Sequence, residues 1–153
     1  MKTISEYLPI LGLLVRLFVG GLFAFAAIPK IAEPLAFATS IAHYDLLPNA
    51  LVNVFALVIP WLEILCAVCL IVGYRIRTNA LLTAAMMVMF TSAVAWAVAH
   101  GLKIDCGCFG EGSSDVTDVT KIIKNLGITA CCVYLWIFPN TTLSLDGRLR
   151  EDA

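Results

Sequence analysis

Residues 51–73 read LVNVFALVIPWLEILCAVCLIVG, and Glu63 is the sole charge among them. A helix rises about 1.5 Å per residue, so this run measures roughly 35 Å and can cross a hydrocarbon layer of about 30 Å. Three more apolar runs lie near Leu8–Ile28, Asn79–His100 and Ile122–Pro139. They are separated by the connections Pro29–Ala50, Tyr74–Thr78 and Gly101–Lys121. The middle connection is so short that the helices it joins must be antiparallel neighbours. The sequence therefore predicts an all-α membrane protein, residues 1–153 forming one four-helix transmembrane bundle in contact with the lipid bilayer.

Bulk composition agrees. Of 153 residues, 61% are apolar and 14% charged, against roughly one half and one quarter in soluble domains. A chain this small could not cover a water-facing surface with so few polar groups. The formal charge of -1 and the lack of a long basic stretch remove the electrostatic footprint of a nucleic-acid binder. Residues 1–26 have a faint likeness to a signal peptide ending at Ala24-Phe25-Ala26, but Arg16 interrupts the apolar region and few basic residues precede it. The segment is read as a retained span.

Lys and Arg collect on cytoplasmic flanks. Four crossings put Lys2, Arg75, Arg77, Arg148 and Arg150 on one side, and Lys30, Lys103, Lys121 and Lys124 on the other. The bias of five to four, the Arg75-Ile76-Arg77 turn and the acidic third connection place both termini in the cytoplasm. The third connection then faces outward. In the first connection, Phe37, Ile41, Tyr44 and Leu47 recur at helical spacing beside Pro29, Pro34 and Pro48. Either a short interfacial helix or an apolar loop covering the bundle's end fits that pattern. Ser113, Ser114 and Asp115 have the composition of helix caps ahead of the last run.

Four of the six cysteines, Cys66, Cys69, Cys131 and Cys132, fall inside apolar runs. There small side chains serve helix packing. The other two lie in Asp105-Cys106-Gly107-Cys108-Phe109-Gly110. Glycine's conformational freedom lets two thiols one residue apart approach each other. The ring they would close is small, and strained, accessible disulfides are the more oxidising and exchangeable ones. Redox exchange is the leading expectation for Cys106 and Cys108. His100, at the exit of the third run, and His43, in the first connection, fall on the same side as candidate proton acceptors. The same cysteines and histidines could instead ligate a soft metal such as copper, zinc or mercury, or the pair could be a structural disulfide, or the chain a non-catalytic anchor for a partner enzyme.

Arg16 and Glu63 lie near the middles of the first two runs, where an unpaired charge is costly. Both should face inward. Similar depths make an Arg16–Glu63 ion pair the expectation, either fixing registry or letting Arg16 polarise the carbonyl of a quinone or substrate. Lys30, after Pro29, is expected to snorkel to the interface.

Arg16, Gly20, Phe23, Lys30, Pro34, Phe37 and Tyr44, then Pro60, Glu63 and Gly73, the motif Cys106-Gly107-Cys108-Phe109-Gly110 and Lys124-Asn125 give nearly the whole chain a family likeness. The chain resembles the MauE branch of the DoxX-like membrane proteins, named for methylamine utilisation. The resemblance implies a four-helix bundle of the bacterial plasma (inner) membrane that works with an extracytoplasmic thioredoxin-like partner. Together they would form or manage disulfides in a client protein, as inferred for maturation of the methylamine dehydrogenase small subunit. It also suggests analogy with DsbB and vitamin K epoxide reductase, bundles that pass electrons from protein thiols to a quinone. Those proteins use Cys-x-x-Cys where this chain has Cys-x-Cys. On this reading Cys106, Cys108 and His100 carry catalysis, and Arg16, Glu63 and Lys30 are candidates for holding a quinone.

Overall fold

The computed structural model describes residues 2–46, 48–101 and 119–139, and every structural statement below refers to these. They form five helices: α1 (Lys2–Ala32), α2 (Pro34–Ala42), α3 (Asn49–Val72), α4 (Ile76–Ala99) and α5 (Val119–Ile137). Leu8–Ala32, Ala50–Val72 and Ile76–Ala99 are each long and apolar enough to cross a membrane, and α5 carries a shorter apolar stretch, Ile122–Ile137. The protein is a multi-pass membrane protein. Large apolar side chains such as Leu14, Phe25, Leu57, Leu65 and Ile123 are well exposed on the outer faces of α1, α3 and α5. That belt suits hydrocarbon and would be a liability in water.

Two helix pairs dominate the packing, α1 against α3 and α4 against α5, with lighter contact between α3 and α4 and between α1 and α5. Around the bundle the order is therefore α1, α3, α4, α5. The shared core holds Val19 and Phe23 of α1, Cys66 and Leu70 of α3, Met87 of α4, and Cys132 of α5. Small residues set the closest approach. A Cβ on Gly20 would lie 2.8 Å from Ile71 Cγ1 and 3.1 Å from the Ala67 carbonyl oxygen, so only glycine lets α1 and α3 close to this distance.

The turn between α3 and α4 is tighter than the sequence suggests, because α4 already starts at Ile76. Gly73 takes a left-handed φ of 78°. Tyr74 N–H donates to the Cys69 carbonyl at 2.9 Å and Gly73 N–H to the Leu70 carbonyl at 3.1 Å, the paired bonds of a Schellman end. Arg75 follows with a φ of 43°, which costs a residue with a Cβ about 1–2 kcal/mol. The Asn79 side-chain amide offsets this strain by donating to the carbonyls of Tyr74 at 2.8 Å and Arg75 at 3.2 Å.

At the opposite end of the bundle α1 does not stop at Pro29, where its first connection was expected to begin. It runs on to Ala32, because a ring at residue 29 removes one N–H yet leaves the following turns able to bond, as with Glu33 N–H to the Pro29 carbonyl at 2.9 Å. Next comes the short helix α2, opened by Pro34 at its first turn. Of the two alternatives for this connection, the helix is the one formed. It turns Phe37 and Ser40 inward, and Tyr44 just beyond it is also buried. The cap residues at 113–115 lie outside the described residues.

Candidate functional site

Glu63 sits on α3 a little past its midpoint and is 1% exposed, while Lys30 near the end of α1 is 3% exposed. The Lys30 ammonium donates to both carboxylate oxygens of Glu63, at 2.8 and 2.9 Å. Its ring neighbours are Phe37 of α2 and Phe90 of α4, whose centroids lie 5.1 and 4.9 Å from Nζ. A buried ammonium thus has a fork-like carboxylate on one side and two electron-rich aromatic faces on others, arrangements that stabilise a desolvated cation.

This corrects two expectations. Lys30 does not snorkel outward, and Glu63 pairs with Lys30 rather than with Arg16. Helical Cα–Cβ bonds tilt toward the helix N-terminus, so a lysine at the C-terminal end of α1 leans back into the bundle. Arg16 lies further along: its Nη2 donates to the Ile71 carbonyl at 3.5 Å, eight residues or about 12 Å along α3 from Glu63. Arg16 remains an inward-facing, 2%-exposed side chain, near the Gly73 end.

On the bundle axis beside the ion pair is a cavity of about 20 Å³, walled by Lys30, Glu63, Phe23, Met87, Phe90 and Asn125. All four long helices contribute to it. Asn125, on α5, is 4% exposed, and its Nδ2 makes no hydrogen bond to the described residues. Asn125 is part of the family likeness in the sequence, but nothing in its spacing shows that it lines a cavity with Glu63.

A larger cavity of about 480 Å³ lies at the α2 end, between α2, α3 and α4. Phe37, Tyr44, Phe55, Phe90 and Trp96 give it aromatic walls, with Ser40 among them. Phe37 and Phe90 are the same rings that flank Lys30, so they partition the large cavity from the ion pair. Arg16 is not among the residues lining either cavity.

His100 caps α4 at this end. Its ring stacks on Trp96 with centroids 3.9 Å apart, and Nδ1 lies 2.9 Å from the Trp96 carbonyl. A carbonyl can only accept, so Nδ1 carries the proton and Nε2 of the neutral ring is the acceptor. His43 caps α2 and is exposed. Cys106 and Cys108 lie outside the described residues. Cys66, Cys69, Cys131 and Cys132 are free thiols in α3 and α5, Cys66 and Cys132 fully buried. Among the described residues no three His, Cys, Asp or Glu side chains gather as a metal site would require.

The family model for "Methylamine utilisation protein MauE" matches residues 8–138. The chain belongs to the MauE family. It is 34% identical over 147 residues to the methylamine utilization protein MauE of Methylophilus methylotrophus, covering 95% of this chain and 76% of the relative. Its identity to the MauE of Methylorubrum extorquens is 36% over 141 residues, 91% of this chain and 75% of that one. For the MauE of Paracoccus denitrificans it is 32% over 139 residues, 90% and 74%. No solved structure matches the chain. The matched segment of this MauE family member takes in the ion pair, both cavities and the Cys106-Gly107-Cys108 motif.

Proposed function

We propose that this MauE family member is a membrane thiol:disulfide oxidoreductase serving methylamine utilisation. The observation that carries the reading is the placement of Cys106-Gly107-Cys108 in the connection after α4, while the four described cysteines are free within α3 and α5. On this reading the chain is one domain that crosses the bacterial inner membrane four times, with α5 the fourth span, both termini cytoplasmic and the motif outside.

In the exchange, a thiolate of an extracytoplasmic thioredoxin-like partner attacks one sulfur of the Cys106–Cys108 disulfide and forms a mixed disulfide. The partner's second thiolate resolves it, so the partner gains a disulfide and Cys106 and Cys108 become two thiols. The partner then passes its disulfide to a client protein. His100, with Nε2 as acceptor, is the proton carrier nearest in sequence.

Reoxidising the two thiols calls for an acceptor of two electrons and two protons, and a quinone dissolved in the bilayer supplies that chemistry. The residues that fit its ring are the aromatic walls of the cavity at the α2 end. Lys30 and Glu63 support those walls from behind, and Arg16 holds α1 to α3.

The test is trapping of the mixed disulfide in intact cells. Wild-type protein should yield an adduct with the partner, and Cys106→Ser with Cys108→Ser together should yield none while inserting normally. Unchanged partner oxidation in the double variant removes the proposal. Stoichiometric copper or zinc that disappears with Cys106→Ser would replace it with metal binding.

A further inference from the structure

The ion pair joins α1 to α3, and the turn at Gly73–Arg75 joins α3 to α4, while Asn125 of α5 lines the same small cavity as the pair. We propose that the axial cavity binds one water molecule, which accepts from the Asn125 amide and donates to the Glu63 carboxylate, and that this bridge fastens the α4/α5 pair to α1/α3.

Room and polarity both select water. The space of about 20 Å³ exceeds the roughly 10–15 Å³ that one water requires and leaves none for a second. Larger ligands are excluded by size, and a cation by the adjoining Lys30 ammonium. The inventory of groups is complementary to one water. Asn125 Nδ2 has no acceptor among the described residues. Glu63 takes one contact from Lys30 on each oxygen, and a carboxylate offers about four lone-pair sites, so acceptors remain. The choice does not depend on which way the amide is turned. With the Asn125 oxygen inward, the same water donates to it instead.

An apolar interior makes the bridge worth forming, because a buried amide with no partner is costly where no bulk water can reach it. Three threonines of α4 and α5 bond within their own helix: Thr83 donates to the Asn79 carbonyl at 2.7 Å, Thr91 to Met87 at 2.6 Å and Thr129 to Asn125 at 2.8 Å. The contact of α5 with α1 near the turn end includes a Tyr134 hydroxyl donating to the Leu8 carbonyl at a long 3.4 Å. Asn125 differs in leaving its buried Nδ2 without an acceptor at the wall of the small cavity.

Water-edited solid-state NMR on the full chain, asparagine-labelled and reconstituted in liposomes, tests the site in the wild-type protein. The Asn125 side-chain NH₂, assigned by its loss in Asn125→Leu, should receive magnetisation from water. Ala26→Val, which adds bulk against the cavity, should abolish that transfer while the Asn125 resonances remain. A folded wild-type protein whose Asn125 NH₂ receives none overturns the site. The fastening role is read from SDS-induced unfolding of Asn125→Leu in the wild-type protein and in a Lys30→Met/Glu63→Leu background, which lacks the acceptor. If the bridge exists, Asn125→Leu promotes unfolding in the first and not in the second; equal effects on the unfolding equilibrium overturn the role.

Discussion

The α1/α3 pair and the α4/α5 pair bury similar lengths of helix by different means. The first is built around charge and close backbone approach: Lys30 on Glu63 at 2.8 Å, Arg16 on the Ile71 carbonyl, and Gly20 against Ala67. The second relies on apolar and soft side chains, Met86, Met87, Ile128, Cys132 and Leu135. In lipid, burial of apolar groups does little to choose a partner helix, since the acyl chains are equally apolar. Fixed polar contacts and small residues specify α1/α3, whereas α4/α5 depends on shape and on whatever crosses the axis from Asn125. The aromatic cavity lies at the seam between the two pairs, against α3 and α4.

Breaking the charge should expose that contrast most sharply. Glu63→Ala or Lys30→Ala leaves one buried ion without its partner and should destabilise the protein by about 3–5 kcal/mol, measured as unfolding in detergent. Replacing both, Lys30→Met with Glu63→Leu, should regain most of the loss. If a single truncation costs no more than an apolar change in α4/α5, the contrast between the pairs is wrong. Gly20→Val comes next: it forces α1 from α3 and should cost about 1–3 kcal/mol, with Gly21→Val, whose Cβ position is open, as a nearly silent control. Asn79→Ala removes the two amide bonds that hold the Arg75 turn and should cost about 1–2 kcal/mol, a loss that Arg75→Gly in the same chain partly reverses. The smallest effect belongs to the thiols of the apolar helices. Alanine at Cys66, Cys69, Cys131 and Cys132 together should leave disulfide exchange intact, and loss of exchange in a folded variant would transfer the chemistry to these helices.

Much of this was legible in the residues. Apolar runs located the long helices to within a few residues, and the five-residue turn reading made α3 and α4 neighbours. The inward position of Glu63 and Arg16 followed from the cost of charge in hydrocarbon. Their partners did not follow, because depth along two helices was judged from run centres, and run centres ignore both the extension of α1 past Pro29 and the lean of side chains. A lysine two residues from a helix end reads as a snorkelling residue until the direction of its helix is considered; Lys30 leans toward the N-terminus of α1 and so into the bundle. Asn125 illustrates a second limit. An asparagine nearly two turns into an apolar helix carries no periodic signal, and its value lies in the cavity it lines together with residues of three other helices. The cavity at the α2 end is walled by residues of α2, α3 and α4 together, which no local pattern encodes.

Helix α1 comprises 31 residues, a rod of about 46 Å crossing a layer nearer 30 Å thick. Such a rod must either lean or project. Because Lys30 is anchored at one extremity, any change of tilt acts as a lever on its contact with Glu63. Reconstitution across a series of lipid chain lengths would gauge whether that contact follows the tilt.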